Sequence, residues 1–386
     1  MNIVVVGAGV VGCSIAYELA ARGARVHVLD GRGAGLGATR ASAGMLAPYT
    51  EGHIPALRTL GIHSLDRYDR FIERVRADSG REIEYERTGS LHVAVGPEEH
   101  AQLCDTAVAL RNERVAHTLL DAGEARALER AVRPDLAGAL HIQDHGYVAA
   151  GALTSALAEA AARRRAAFQI ARVLSIAGGR IPRVETEAGD IDADAVIVSA
   201  GSWSGLLAAH APVAQSTSAA APRSPSALPG GGSGQRMPPV KPIRGQLVHL
   251  RLDDRAAERV IWGSGCYLVP WRDGTVLAGA TVEDVGFDEA ATVSGVLRLL
   301  HESTSLLPIL REGVFGEVRV GLRPMTADEL PAIGASSTMR QVFYATGHYR
   351  NGVLLAPLTA ALTADLVLEG RASPELSLVR PDRLGL

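Results

Sequence analysis

The chain predicts an α/β fold joined to an α+β part, and three observations carry that prediction. Its 386 residues exceed the usual domain length and suggest about two to three domains. The all-apolar run NIVVV at residues 2–6 leads into three closely spaced glycines and a helical pattern, which is how a βαβ unit opens. Later stretches alternate between strand and helix periodicity, with two β-rich runs beside a helix late in the chain.

Residues 2–6 read as a strand buried on both faces of a parallel sheet. A helix follows from about Val10 to Arg22, with Ile15, Ala16 and Leu19 on one face and Gly23 as its stop. ARVHVLD then gives a second strand ending at Asp30, and a right-handed crossover sets the two strands side by side. After a small-residue loop, apolar residues from Leu57 to Val75 recur at helical spacing until Ser79-Gly80, with Gly61 and Ser64 on the same face. SLHVAV reads as a strand, followed by helices near 97–113, 122–131 and 149–164. DADAVIVSAGSW reads as another buried strand that stops at small residues. QLVHLRL and TVLAGAT are β-rich and precede a helix at about 289–306. The last elements are the strand QVFYATG and a helix from about Asn351 to Leu368, ended by Gly370.

Between Ala211 and Val240, 15 of 30 residues are Pro, Gly or Ser, too few apolar groups to offset the entropy of ordering the segment. It reads as a flexible surface insertion.

Composition narrows the function. With 47% hydrophobic and 21% charged residues the chain has ample material for a core, which excludes global disorder. The 39 basic and 42 acidic residues leave a net charge of -3, giving no electrostatic reason to expect nucleic acid or an anionic membrane as partner. A small-molecule site is the default. Cys13, Cys104 and Cys266 are odd in number and far apart, which supports neither a disulfide framework nor a thiolate metal site and fits a reducing cytoplasm. The apolar N-terminus lacks the basic flank of a signal peptide, and the run from Val353 to Leu368 contains Pro357 and Asp365 and is short for a membrane span. The expectation is a soluble protein.

Gly7, Gly9 and Gly12 fit G-x-G-x-x-G between a buried strand and a helix. Gly7 permits the tight turn, Gly9 lets a pyrophosphate approach the backbone, and Gly12 lets helix and strand pack closely. The helix start offers N–H groups and a positive dipole end to phosphate. Asp30 stands 18 residues after Gly12, where a carboxylate can accept hydrogen bonds from a ribose. This fingerprint serves NAD and FAD alike.

GATRASAGMLAP at 37–48, RGQL at 244–247, YLVP at 267–270, GLRP at 321–324 and TGHYRNGVLLAP at 346–357 resemble the D-amino-acid oxidase family of flavoproteins. Within the family the chain is most similar to the branch that oxidises glycine for thiamine biosynthesis. The resemblance spans nearly the whole chain outside 211–240. It implies FAD, held noncovalently because no cysteine follows Cys266, and a glutathione-reductase-like FAD-binding Rossmann domain with a discontinuous substrate domain. The FAD domain would comprise 1–84, 145–210 and 317–386, and the substrate domain 85–144 and 241–316.

The resemblance also assigns roles. Arg323 of GLRP would bind the substrate carboxylate as a bidentate pair, a grip that only a planar guanidinium gives. Tyr267 of YLVP would donate its hydroxyl to the same carboxylate. Thr39, Arg40, Ser42, Ala43, Gly44 and Met45 correspond to a loop beside the isoalloxazine ring. Ala200 and Gly201 correspond to a second flavin-contacting turn, and Val173 to the position whose backbone meets adenine. Gly347, His348, Tyr349, Arg350, Asn351 and Gly352 lead into the last helix, whose start would face the pyrimidine end of the flavin and stabilise negative charge there. Arg350 either adds charge to the substrate pocket or ties down its loop. The chain departs from the glycine-oxidising pattern at Gly265, where a relative carries histidine, and at Val282, which replaces a pocket methionine.

The implied reaction takes glycine, sarcosine or a small D-amino acid to its imine by hydride transfer to flavin N5. Water hydrolyses the imine to a 2-oxo acid and ammonia, and oxygen reoxidises the flavin to give hydrogen peroxide. A second copy of the chain and a thiazole synthase are the candidate protein partners. Alternatives are a dehydrogenase of small D-amino or 2-hydroxy acids that reduces a quinone, and a noncatalytic flavin-binding subunit. Gly201-Ser-Trp-Ser-Gly205 misplaces its serine for a nucleophile elbow, and the twelve histidines show no metal-ligand spacing, so no metal is expected.

Overall fold

The computed structural model describes residues 1–50, 54–210 and 238–386. Most of the segment read as a flexible insertion, residues 211–237, lies outside the described residues.

The apolar runs build a six-stranded sheet in the order Ala332–Ala335, Val342–Thr346, Ala195–Val198, Asn2–Val6, Arg25–Asp30, Ala167–Ile170. All neighbours are parallel except the first pair. Val6 stands level with Val198 on one side and Leu29 on the other, so three strands end together. Helix Val10–Ala21 covers this sheet between helices Ala150–Arg163 and Gly352–Glu369. The last helix is long and apolar enough to cross a membrane by length and composition, but Val353 to Pro357 and most of its later apolar residues are buried in the core. Its Pro357 is accommodated where helix Pro55–Leu65 crosses, with the Ser64 hydroxyl accepting the Leu358 N–H at 3.3 Å.

The second large sheet has eight strands in the order Val314–Met325, Lys241–Arg251, Thr275–Gly279, Tyr267–Pro270, Val260–Trp262, Ser90–Ala94, Gly138–Ile142, His117–Leu120. It is antiparallel apart from the pairing of Val260–Trp262 with Ser90–Ala94. Helix Val293–Leu306 packs on its Lys241–Arg251 strand.

Several boundaries differ from the sequence reading. The helical run from Leu57 to Ser79 is two helices, Pro55–Leu65 and Tyr68–Ser79, because the chain turns at Asp66–Arg67 while Ser64 and Gly61 stay against the last helix. The helix expected over 122–131 is Ala122–Leu128, since Glu129 swings out to accept from the Glu258 N–H and the Arg259 guanidinium. The helix expected from 289 begins at Val293, where Thr292 caps it by accepting the Gly295 N–H at 3.2 Å.

Burial leaves five histidines hard to protonate, with His141 lowered and His145 held well below the ordinary imidazole range. Desolvation holds His92, His249 and His348 down at about 4. An unfolded imidazole titrates near ~6.5, so between about 6.5 and 4 the unfolded chain binds more protons and folding stability falls as pH falls. Each such residue contributes a slope of about 1.4 kcal/mol per pH unit in that window. The urea midpoint at pH 5 is therefore expected below that at pH 7, with a shallower dependence in His92→Gln. Equal midpoints would show that the rings titrate normally.

Candidate functional site

A cavity of about 1190 Å³ runs from the carboxyl ends of the parallel strands to the face of the eight-stranded sheet. It exceeds the ~300–1,000 Å³ of ordinary small-ligand pockets, leaving room for a dinucleotide and a substrate together.

One end is built by the first glycine turn. Gly7 has φ +107, and a Cβ there would lie 2.4 Å from the Ser199 carbonyl oxygen. Gly9 lines the cavity and caps the helix with no side-chain hydrogen bond of its own, while Thr39 Oγ1 accepts the Val10 N–H at 3.0 Å. A backbone this bare, at a positive helix end with no acidic residue in the first turn, fits a pyrophosphate. Asp30 also lines the cavity, but its carboxylate binds backbone first. Oδ2 accepts from Ala8 N at 2.8 Å, and Oδ1 from Arg32 N and Gly33 N at 2.8 and 2.9 Å. The aspartate thus rivets the glycine turn to the end of the second strand, leaving Oδ2 the freer oxygen for a ribose. Val173, Ala200 and Gly201 line the same part of the cavity.

From Thr39 at the glycine turn the loop runs on through Ser42, Ala43, Gly44 and Met45, which line the cavity with His348, Tyr349, Arg350 and Gly352. Gly44 has φ +72, and a Cβ there would lie 1.7 Å from the Val148 carbonyl oxygen, so only glycine lets this loop lie flat. The loop before the last helix is pinned by Tyr349 N–H donating to Pro324 O at 2.7 Å and by His348 Nε2 against Thr359 Oγ1 at 3.1 Å. Asn351 caps that helix without a side-chain bond, and Gly352 and Val353 at its start line the cavity, so its positive end faces the cavity. The Arg350 guanidinium lies 4.9 Å from the Tyr349 ring centroid and donates to its hydroxyl at 3.2 Å.

Between the ends stand Arg323 and Tyr267, both in the cavity wall. Arg323 Nη1 donates to the Thr281 and Arg244 carbonyls at 2.9 and 3.4 Å. Its guanidinium lies over Gly245, where a Cβ would be 2.4 Å from Cζ. Among the described residues no carboxylate is paired with Arg323, so backbone carbonyls rather than an ion pair hold it. The Tyr267 hydroxyl rests over Gly279, and its ring leans on Trp262 with centroids 5.6 Å apart. Gly265 and Val282, the two departures from the family pattern, are also in the wall.

Four expected residues do not reach the cavity surface. Arg40 points outward, 3.5 Å from Glu317. Gly12 faces Gly7 and Ser199 instead, while Gly347 and Asn351 stand behind the loop that their neighbours present. Conversely, Arg32, Trp203, Trp262, Phe287 and Glu289 line the cavity and were not singled out from sequence. An aromatic after the small-residue turn at 200–201 is the one local signal that pointed to Trp203; the others meet only through the fold.

The family model described as FAD dependent oxidoreductase matches residues 2–366. Glycine oxidase of Geobacillus kaustophilus is 32% identical over 95% of this chain and 92% of its own. The crystal structure of glycine oxidase from that organism superposes with a TM-score of 0.87 at 31% identity, over 98% of this chain and 97% of that one. The bifunctional protein ThiO/ThiG of Synechocystis is 30% identical over 99% of this chain, which spans 54% of it.

Proposed function

The chain belongs to the D-amino-acid oxidase family of FAD dependent oxidoreductases, and from that premise we propose that it oxidises glycine, or a similarly small amino acid, with oxygen as acceptor. The overall change is glycine, oxygen and water to glyoxylate, ammonia and hydrogen peroxide. Bound FAD supplies the two-electron acceptor for the C–N bond.

The chain's own residues supply position and electrostatics. Arg323 grips the substrate carboxylate through two parallel N–H bonds, and Tyr267 donates a third, which fixes the α-carbon. The last helix start offers positive potential where negative charge develops. No side chain is nominated as base: the amine enters neutral, with its lone pair free to support loss of hydride. The glycine turn, Asp30, the 39–45 loop and the 200–201 turn would hold the cofactor, with Val173 the residue that would meet its adenine.

The observation that carries this reading is the Arg323 guanidinium held in the cavity by two backbone carbonyls rather than by an acid. The match to one half of ThiO/ThiG supports thiamine biosynthesis as the setting and a thiazole synthase as the partner that receives the product. Anaerobic mixing of the yellow holoenzyme with a panel of small amino acids tests the proposal. Bleaching by glycine or sarcosine, with rapid recovery on admitting air, is expected. A flavin that no amino acid bleaches would make the chain a noncatalytic subunit, and recovery with a quinone but not with air would make it a dehydrogenase.

A further inference from the structure

The side chains of Arg244 and Gln246 in the RGQL stretch are assigned no role by the reaction, yet they organise a loop that crosses to the other half of the molecule. Arg244 is almost fully buried and spreads its guanidinium over the segment that follows Thr281. It pairs with Glu283, binds Asp288 at 2.6 Å and donates to the Ala290 carbonyl at 3.0 Å. Its backbone N–H and C=O exchange hydrogen bonds with Glu283 at 2.8 and 3.0 Å. Gln246 binds Glu283 at 2.7 Å through its amide nitrogen and accepts the Thr292 N–H at 2.9 Å. Two side chains on one strand thus fasten both ends of residues 282–292.

The middle of the segment reaches away from that base. Glu289 receives two parallel hydrogen bonds from Arg32, at 2.9 and 2.6 Å, across 257 residues of sequence. The same Arg32 guanidinium lies 4.3 Å from the Trp203 ring centroid, and Phe287 leans on that ring at 5.8 Å. Arg32 follows the Arg25–Asp30 strand of the six-stranded sheet and Trp203 follows its Ala195–Val198 strand. All four residues line the cavity on the side of the glycine turn and Asp30.

We propose that residues 282–292 are a strap that retains the cofactor: Arg244 and Gln246 anchor it, and Glu289 and Phe287 latch it on Arg32 and Trp203 across the cleft. The proposal rests on the FAD reading above. A bound dinucleotide cannot leave past the latch until the Arg32–Glu289 pair and the Phe287–Trp203 contact part. The anchor is buried and stays, whereas the latch side chains are 41% and 34% exposed, so the latch is the part that opens. A half-exposed ion pair is weakened by salt, and so must be the closed state.

The test is the rate of FAD release from holoenzyme, read as flavin fluorescence after dilution at low and high salt. Glu289→Gln and Arg32→Gln are each expected to release FAD about three- to tenfold faster than the parent, and the double variant no faster than Arg32→Gln alone, since that change already breaks the bidentate pair. Adding Phe287→Ala to Glu289→Gln is expected to accelerate release further, on the order of tenfold or more in total. Salt should speed release from the parent and have much less effect on Glu289→Gln. Parental release rates in the single variants, or additive effects in the double, would overturn the strap. A segment serving the substrate instead would raise the KM for glycine with FAD release unchanged, which also overturns it. A parent that takes up no FAD would remove the cofactor reading itself, whereas a yellow parent whose release is indifferent to these residues removes the strap alone.

Discussion

Arg323→Ala is expected to lower the efficiency of anaerobic flavin reduction by glycine about a hundredfold to several thousandfold. Truncating one partner of a desolvated, hydrogen-bonded charge pair costs roughly 3–5 kcal/mol, and that energy appears in the second-order rate constant. The carboxylate grip also aims the α-carbon, so the rate at saturating glycine should fall together with affinity. The geometry around Arg323 sharpens this. Its guanidinium is fixed by the Thr281 and Arg244 carbonyls, both bound by Nη1, and by contact with Gly245, so the N–H groups on Nε and Nη2 that can pair with a carboxylate are aimed before substrate arrives. Arg323→Lys should rescue only in part, because an ammonium restores attraction without the planar two-point fit. Both variants should keep their flavin, which separates substrate loss from misfolding. Stopped-flow reduction with glycine and with sarcosine is the measurement. If Arg323→Ala reduces at close to the parental efficiency, the carboxylate clamp lies elsewhere, with Arg350 next to test.

The local parts of this fold were legible in sequence because their signals are local. NIVVV is buried at Ile3 to Val6, and Gly370 ends the last helix with φ +66, each for a reason contained in a few residues. The break at Asp66–Arg67 was not legible, since the apolar spacing runs through it and only the crossing of the last helix beside Gly61 and Ser64 sets the bend. The twelve-residue strand Val314–Met325 was also missed. It lies at a sheet edge with Val314 and Phe315 exposed, so its pattern lacks the alternation that marks a half-buried strand.

The site divides in the same way. Gly7, Gly9 and Asp30 are close in sequence, and their chemistry fixes their spacing. Asp30 nevertheless spends most of its capacity on the backbone of Ala8, Arg32 and Gly33, which spacing alone cannot reveal. RGQL stood out by resemblance, but its meaning is three-dimensional: Arg244 and Gln246 face the 282–292 segment while Gly245 yields space to Arg323. Arg32 and Glu289 could not be paired from sequence, because each is an ordinary surface charge until the two halves of the chain meet.

Gly12→Ala is expected to be among the most damaging single-methyl changes in the chain. A Cβ at this position would lie 1.9 Å from the Gly7 carbonyl oxygen and 2.7 Å from Ser199 Oγ. The first is backbone, and the second is held by bonds to the Val6 and Gly7 carbonyls at 3.0 and 3.2 Å, so neither yields without moving a strand end. Overpacking of this kind costs about 1–3 kcal/mol, and the rigid target places Gly12→Ala at or above the upper end, with Gly12→Val worse. The atom that must move belongs to the turn proposed to cradle the pyrophosphate, so cofactor binding should fall with stability, and added FAD should not restore the parental midpoint. Gly151→Ala is the matched control. It lies in helix Ala150–Arg163 with nothing within 4 Å of the added methyl, and should be neutral or stabilising by about 0.5–1 kcal/mol. Urea midpoints and flavin content of the purified variants decide the matter. A Gly12→Ala protein that keeps both would mean that helix Val10–Ala21 can move off the sheet without disturbing the turn, and that close packing at this crossing is not what shapes the cofactor site.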